Sequence, residues 1–229
     1  MKKIICLLIG VAALLSPLTL SAQIKNEGLA QGILAARQKD ATLLKQYNWN
    51  SRVEVQHDEK TADIRLYLVS YGPDGELQRS LINDDPAKVP GGFFRRAVAE
   101  DKKKEMEKLI HHVGKLVDQY TLPTAGKVID FISQAQISPL TSPEGKTILQ
   151  LNGNNVVVPG DSFAMTVDGT TLRPISLQIT TTYEDSQVTV SATFHTGAAG
   201  LNHLQFATVL LPDKGLTINI HNYDYVPQN

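Results

Sequence analysis

The feature that most constrains the fold is the period of two in the hydrophobic residues between residues 148 and 225. In this part of the chain, short runs of apolar side chains alternate with polar ones. Such alternation is typical of half-buried β-strands, whose successive side chains point to opposite faces. Turn-forming segments separate the runs, among them Asn152–Gly153, Asp168–Gly169 and Asp213–Gly215. Because connections this short join antiparallel neighbours, the segment predicts a β-meander.

The first half of the chain mixes this period with the helical one. Residues 24–47 place apolar side chains three and four positions apart, which predicts an amphipathic helix. Alternation then returns in three runs that predict antiparallel strands, with a turn at Pro73–Gly75 before the third. Helical spacing over about residues 94–120 and 125–134 predicts two further helices before the meander begins.

These elements predict an α+β protein with one curved, mostly antiparallel sheet of about ten strands. An open sheet of that size tends to curl, and helices can then pack against the inside of the curve. We therefore expect an incomplete β-barrel that packs on an N-terminal helix and a two-helix insertion. Residues 23–229 form a single predicted domain, because neither half of the strands has enough helix to cover it alone.

The first 22 residues read as a secretory signal peptide. Lys2 and Lys3 precede an apolar run that is too short to span a bilayer comfortably, and small residues around Ala22 offer a cleavage site. The chain's single cysteine, Cys6, lies within this segment, so no disulfide is available to the predicted mature chain. The sequence therefore predicts an exported protein, most readily one of a Gram-negative periplasm.

Charge and hydropathy narrow the classes of partner. Removing residues 1–22 leaves 207 residues with 20 basic and 23 acidic side chains, a net charge of −3. A nucleic-acid-binding protein would be expected to carry a basic surface, so we expect no nucleic-acid partner. No later apolar run reaches the roughly 20 residues that a transmembrane helix needs, so the mature chain is expected to lack one.

The order of these elements resembles that of the bacterial lipoprotein-carrier (LolA-like) superfamily, which includes the RseB-like regulators of envelope stress. Four segments carry the resemblance: the strand at Trp49–Val55, the turn at Tyr71–Glu76, the entry to the meander at Pro159–Ser162, and the closing Ile220–Tyr225. The resemblance implies an incomplete barrel with a helical lid and a hydrophobic cavity for acyl chains. The superfamily's aromatic run leading into an Arg-Pro pair is absent here, so no functional residue is carried over.

The leading hypothesis is a non-enzymatic binding protein that holds a lipid or lipoprotein acyl chain in an apolar cavity between sheet and helices. Its cavity could equally be filled by the chain's own side chains, since periodicity does not separate the two cases. A regulatory or scaffolding module that binds an envelope protein is the alternative. The candidate cavity-lining residues are Ile64, Leu66, Leu68, Met106, Phe163, Met165 and Phe206.

Two further motifs give weaker indications of catalysis or metal binding. The Gly160–Phe163 segment is similar to the nucleophile block of GDS-type esterases, which makes a serine hydrolase centred on Ser162 a minor alternative. Its residues are also ordinary turn composition, and no Asp-x-x-His pair follows. His111 and His112 are adjacent, but neighbouring helical residues point about 100° apart and do not easily share one ion. We therefore expect no catalytic residue, no metal and no cofactor.

Overall fold

The computed structural model describes residues 17–83, 100–121, 124–197 and 199–228. Within them are three helices: α1 (Pro17–Leu44), α2 (Glu100–Thr121) and α3 (Ala125–Gln134). The ten strands are β1 (Tyr47–His57), β2 (Lys60–Tyr71), β3 (Leu77–Asn83), β4 (Gln136–Thr141), β5 (Thr147–Asn154), β6 (Ser162–Asp168), β7 (Pro174–Tyr183), β8 (Ser186–Thr196), β9 (Asn202–Leu211) and β10 (Leu216–Pro227). A single 3-10 turn, Pro212–Lys214, separates the last two strands.

All ten strands form one antiparallel sheet in the order β3-β2-β1-β10-β9-β8-β7-β6-β5-β4. Eight of the nine strand pairings join strands that are adjacent in sequence, and the ninth, between β1 and β10, joins the N-terminal strands to the meander. The sheet does not close, because β3 and β4 lie at its two edges. The predicted α+β class, with an incomplete barrel of about ten strands, is confirmed.

The strand register divides the sheet into two faces. Residues directly opposite each other in a ladder share a face, and a chain of such pairs links Val53, Ile220, Ala207, Ala192 and Leu177 across five strands. This face carries the buried core and packs against the helices, and we call it the covered face. The residues between them, such as Arg52 and His221, belong to the outer face.

The helices cover this face in two places. From α2, Val113 and Tyr120 pack with strand residues from β6 to β10, where the largest fully buried side chains include Ile179 and Leu211. Helices α1 and α3 contact each other and form a second cluster with β5 and β6, in which Ile33 and Ile132 are almost completely buried. The three helices therefore cover the apolar side chains on this face of the sheet and complete the core.

Helix boundaries follow the sequence closely, with local differences. The predicted helix at 125–134 has the observed bounds, and Thr124 caps it by accepting a hydrogen bond from the Lys127 N–H. The first helix begins earlier, at Pro17, and ends at Leu44, since Tyr47 already opens β1. The predicted positions 94–99 of the long helix lie outside the described residues. Within the described residues, no helix has the length and hydropathy that a membrane span requires.

One predicted turn is wrong. Asn152–Gly153 was expected to form a hairpin turn, but both residues continue β5 and pair with Ala164 and Phe163 of β6. The turn comes later, between Asn154 and Ser162, where Asn155 and Gly160 have positive φ values of 56° and 86°. The local preference of the dipeptide is overridden here because the ladder with β6 satisfies its backbone.

Candidate functional site

Two of the predicted lining residues lie on the covered face. Phe163 is 8% exposed, and its ring meets the Phe131 ring of α3 edge-on at 4.7 Å between centroids. Met165, two positions along the same strand, is partly buried and packs against both core clusters. Phe163 therefore contacts α3 directly, and both side chains belong to the packed core.

Four other predicted lining residues lie on the outer face. In β2, Ile64, Leu66 and Leu68 oppose Glu54, Arg52 and Asn50, whose side chains point away from the helices. Phe206 is 46% exposed and stacks on His221 at 4.2 Å between ring centroids. The expectation that all seven residues share one lining is therefore corrected. The side chain of Met106 lies outside the described residues.

The strand register explains why the predicted lining residues of β2 lie on the outer face. Tyr67, Val69 and Tyr71 of this strand take the covered face, where Val69 opposes Trp49 and is only 2% exposed. Both sets of alternating residues in β2 are apolar or aromatic. Because a period of two gives two faces but does not say which one is buried, the sequence alone favoured the more aliphatic set, and this choice was wrong.

The covered face continues to the sheet edge at β3, where it stays open. Leu81 opposes Tyr67 and Leu77 opposes Tyr71, so both leucines share the face of Val69. They are nevertheless 48% and 43% exposed. The candidate site is this strip of side chains on β2 and β3, which is apolar except for Arg79, the register partner of Val69. Sequence reasoning placed Leu77 and Leu81 in a strand but missed them as site residues, although their spacing of four in a strand puts them on one face.

An aromatic corner borders the strip. Trp49 is 7% exposed and stacks on Tyr225 at 5.4 Å between ring centroids, with Tyr71 at 6.2 Å on its other side. The Lys45 ammonium lies 5.9 Å from the centre of the Tyr71 ring, a cation–π contact. Burial raises the pKa of both Tyr71 and Tyr225 above the ordinary value of a phenol, so both hydroxyls stay neutral at physiological pH.

A buried polar network fixes the end of α2 to the sheet. The Asp161 carboxylate accepts hydrogen bonds from the N–H groups of Val156, Val157 and Val158, and from the Tyr120 hydroxyl at 2.7 Å. Burial alone would raise the pKa of this carboxyl, but these hydrogen bonds outweigh it and lower the pKa. Asp161, at 2% exposure, is therefore a buried carboxylate whose partners keep it charged.

Ser162 does not occupy a hydrolase-like arrangement. Its register partners are Asn154 and Thr180, and the residue is exposed on the outer face. Its neighbour Asp161 is engaged by the loop and by α2. In the part of the chain that the structure describes, the Ser162 side chain makes no hydrogen bond to a histidine, which a nucleophilic serine needs as its base.

One histidine of the adjacent pair in α2 contacts a tyrosine of the sheet. The Nδ1 atom of His112 lies 3.0 Å from the Tyr183 hydroxyl, and the two rings stack at 6.0 Å between centroids. His111 is exposed beside it. Over the described ranges, no group of three or more histidine, cysteine, aspartate or glutamate side chains is arranged to hold a metal ion.

Comparisons with known proteins return distant structural likenesses. No family model matches the chain, and no curated protein matches it. A LolA superfamily protein from Nitrosomonas europaea is 11% identical, with a TM-score of 0.39, over 87% of this chain and 94% of that chain. A DUF1329 family protein from Desulfovibrio piger is 9% identical, with a TM-score of 0.42, over 88% and 92%.

Proposed function

We propose that this chain is an exported, non-enzymatic binding protein that holds an acyl chain of a lipid or lipoprotein on the covered face of its sheet. The observation that carries the proposal is the exposure of Leu77 and Leu81 on the face of the sheet that carries the core, with Arg79 between them on the same face. Single exposed leucines are common on protein surfaces. Two on the covered face of an edge strand, beside Tyr67 and Tyr71, give an apolar ligand contacts on both sides of the intervening Arg79.

The energetics suit reversible binding. Complete burial of about 15 methylenes at ~0.8 kcal/mol each would give ~12 kcal/mol, and an open strip, which covers one side of the acyl chain, gives less. Association costs ~4–15 kcal/mol, so the net affinity is weak to moderate. A carrier must release what it collects, and a strip that is open at the sheet edge permits this better than a sealed cavity.

Trp49 provides the test. It is the chain's single tryptophan, and its ring lies 6.2 Å from that of Tyr71, the register partner of Leu77. A fatty acid that carries bromine on its acyl chain quenches tryptophan fluorescence at short range. We expect dibromostearate to quench Trp49 in a saturable manner, and unlabelled stearate to reverse the quenching.

Two leucines make a matched pair of variants. Leu77 on the covered face and Leu68 on the outer face are 43% and 42% exposed. We expect Leu77→Asp to weaken the binding of dibromostearate at least tenfold, and Leu68→Asp to leave it within twofold of the parent. Circular dichroism and thermal unfolding check that both variants fold. Equal loss in both variants, or no saturable quenching in the parent, would contradict the proposal.

A second experiment asks what the protein carries when it is isolated. Mass spectrometry of an organic extract from gently purified protein should detect a lipid or acylated species at a fixed ratio to protein. If the lipid is extracted with the parent but not with the Leu77→Asp variant, it binds at the strip. An extract without lipid, together with failure to bind the acyl probe, would refute the carrier function.

A protein-binding module remains the second candidate, and the outer face favours it. Phe206, Leu68 and Leu210 are exposed there by 46%, 42% and 36%. Crosslinking in intact cells should then capture one reproducible partner, and Leu68→Asp should abolish that capture while Leu77→Asp leaves it unchanged. In that outcome Leu68, and not Leu77, would lie in the binding surface, which would support the scaffolding function.

A further inference from the structure

One cation interrupts the apolar strip near its centre. Arg79 opposes Val69 in the ladder between β2 and β3, so its side chain lies on the covered face. Leu77 and Leu81 lie two residues to either side of it, about 6.6 Å away along the strand. An acyl chain that contacts either exposed leucine therefore lies within reach of the long Arg79 side chain.

The Arg79 guanidinium is available to a ligand. The side chain is exposed, and among the described residues no acidic group pairs with it. A guanidinium carries five N–H donors in a planar fork and has no acceptor of its own. This fork matches the two oxygens of a carboxylate, so the strip has a binding group for an anion beside its apolar side chains.

A second cation borders the strip. The Lys45 ammonium lies 5.9 Å from the centre of the Tyr71 ring, and Tyr71 is the register partner of Leu77. Further along β2 on the same face, Arg65 is already paired with Asp63 at 2.7 Å. That pair neutralises itself, so Lys45 adds to the positive potential that Arg79 gives the strip.

The acidic residues closest in sequence lie in the turn before β3. Asp74 and Glu76 are exposed there, and the Asp74 carboxylate accepts a hydrogen bond from the Glu76 N–H at 3.0 Å. Within the described part of the chain, neither carboxylate forms an ion pair with Arg79 or Lys45. A ligand on the strip therefore meets two cations that no protein carboxylate holds.

We propose that the strip selects a fatty acid over a neutral acyl group, and that the Arg79 guanidinium binds its carboxylate. This inference rests on the proposed function. An ester-linked or amide-linked acyl chain, as in a lipoprotein, brings no charge to Arg79. A phospholipid brings an anion but two chains, whereas one exposed row of Leu77 and Leu81 suits a single chain. A fatty acid supplies both the single chain and the two oxygens that the fork of an arginine binds.

Competition against dibromostearate at Trp49 tests the selection. Laurate, 1-dodecanol and dodecyltrimethylammonium have chains of the same length and are anionic, neutral and cationic; each is used below its micelle concentration. In the parent we expect laurate to compete at least tenfold better than dodecyltrimethylammonium. Arg79→Gln should weaken laurate about fivefold, as for a partly exposed ion pair, and should leave 1-dodecanol within twofold. The affinity of dibromostearate is measured separately for each variant and enters each competition constant.

Two further variants are matched controls. Lys127→Gln removes the same charge from an exposed position on α3, which packs near the opposite edge of the sheet, and should bind laurate like the parent. Arg79→Lys keeps the charge but loses the planar fork, so it should retain part of the preference for laurate over dodecyltrimethylammonium. Circular dichroism and thermal unfolding check that all three variants fold.

The outcomes separate this inference from the proposed function. Equal weakening of laurate and 1-dodecanol in Arg79→Gln, or no weakening of either, would overturn the role of Arg79, while saturable quenching in the parent would still support acyl binding. A charge on an edge strand also discourages pairing with a second sheet. If Arg79→Gln sediments as a dimer and binds laurate like the parent, Arg79 protects the edge of β3 and the inference is wrong. A parent that shows no saturable quenching would refute the acyl-binding function itself.

Discussion

The Asp40 carboxylate on α1 and the Arg173 guanidinium at the entry to β7 form an ion pair with 2.8 Å between Oδ1 and Nη2. Both side chains are largely buried. The same oxygen of Asp40 accepts from the Asn202 N–H at the start of β9. Among the described residues, its second oxygen, Oδ2, has no partner. Burial raises the pKa of the Asp40 carboxyl even though Arg173 lies beside it. One pair of charges thus connects the first helix to two strands of the meander.

This pair predicts a specific pattern in a double-mutant cycle. Arg173→Leu leaves a buried carboxylate without its counter-charge, and we expect it to lower the free energy of unfolding by about 3 kcal/mol. Adding Asp40→Leu to that variant should recover part of the loss, because the unpaired charge is removed. Urea unfolding of the parent, both single variants and the double variant measures the coupling. Strictly additive effects would show that the two charges do not interact.

Tyr120 gives a second prediction, because its hydroxyl bonds a buried carboxylate. Tyr120→Phe removes the hydrogen bond to Asp161 and the one to Thr181 at 2.9 Å, while keeping the ring in the core. We expect the free energy of unfolding to fall by about 1.5–3 kcal/mol, as for hydrogen bonds to charged groups. Tyr183→Phe is the control. Its hydroxyl bonds an exposed histidine, and its loss should leave the free energy of unfolding close to that of the parent.

Asp161 predicts how stability changes with pH. Its pKa is lower in the folded protein than the value of about 3.9 for an unfolded chain. The unfolded state therefore binds the proton first as the pH falls, and the stabilisation, complete above about pH 4, is lost as the pH drops through the folded pKa. In Asp161→Asn this loss is absent. Urea midpoints of the two proteins between about pH 2 and pH 7 should converge at the acid end. Parallel curves would show that Asp161 does not titrate in this way.

The strand count and the antiparallel order were predictable because turn residues separate short alternating runs. The helix at 125–134 was predictable because its apolar spacing and its cap agree. The buried face of β2 was not predictable, because both sets of alternating side chains are apolar or aromatic. Ile64, Leu66 and Leu68 lie on one face, and Tyr67, Val69 and Tyr71 lie on the other. A cleft of about 390 Å³ between α3 and β5 was also missed. It borders Asn152–Gly153, whose local preference for a turn concealed that the strand runs on, and only the packing of α3 brings Phe131 over Gly153.

Two glycines of α1 give the last prediction, because the same substitution meets different surroundings at each. A Cβ at Gly28 would have no atom within 4 Å, whereas a Cβ at Gly32 would overlap Cδ1 of Leu172. Alanine favours a helix over glycine by about 1 kcal/mol. Gly28→Ala should therefore raise the free energy of unfolding by up to that amount.

Gly32→Ala receives the same gain in helix propensity but pushes into a packed contact, which typically costs ~1–3 kcal/mol. We expect it to be less stable than Gly28→Ala by at least ~1 kcal/mol, measured by urea unfolding. The atom that has to give way is Cδ1, the end of the Leu172 side chain, so the cost depends on whether this side chain can take another rotamer in the turn before β7. Adding Leu172→Ala to Gly32→Ala should remove the clash, and the combined variant should then lose less than the two single effects predict. Equal stabilities for Gly28→Ala and Gly32→Ala would mean that α1 does not pack on this turn as closely as the overlap implies.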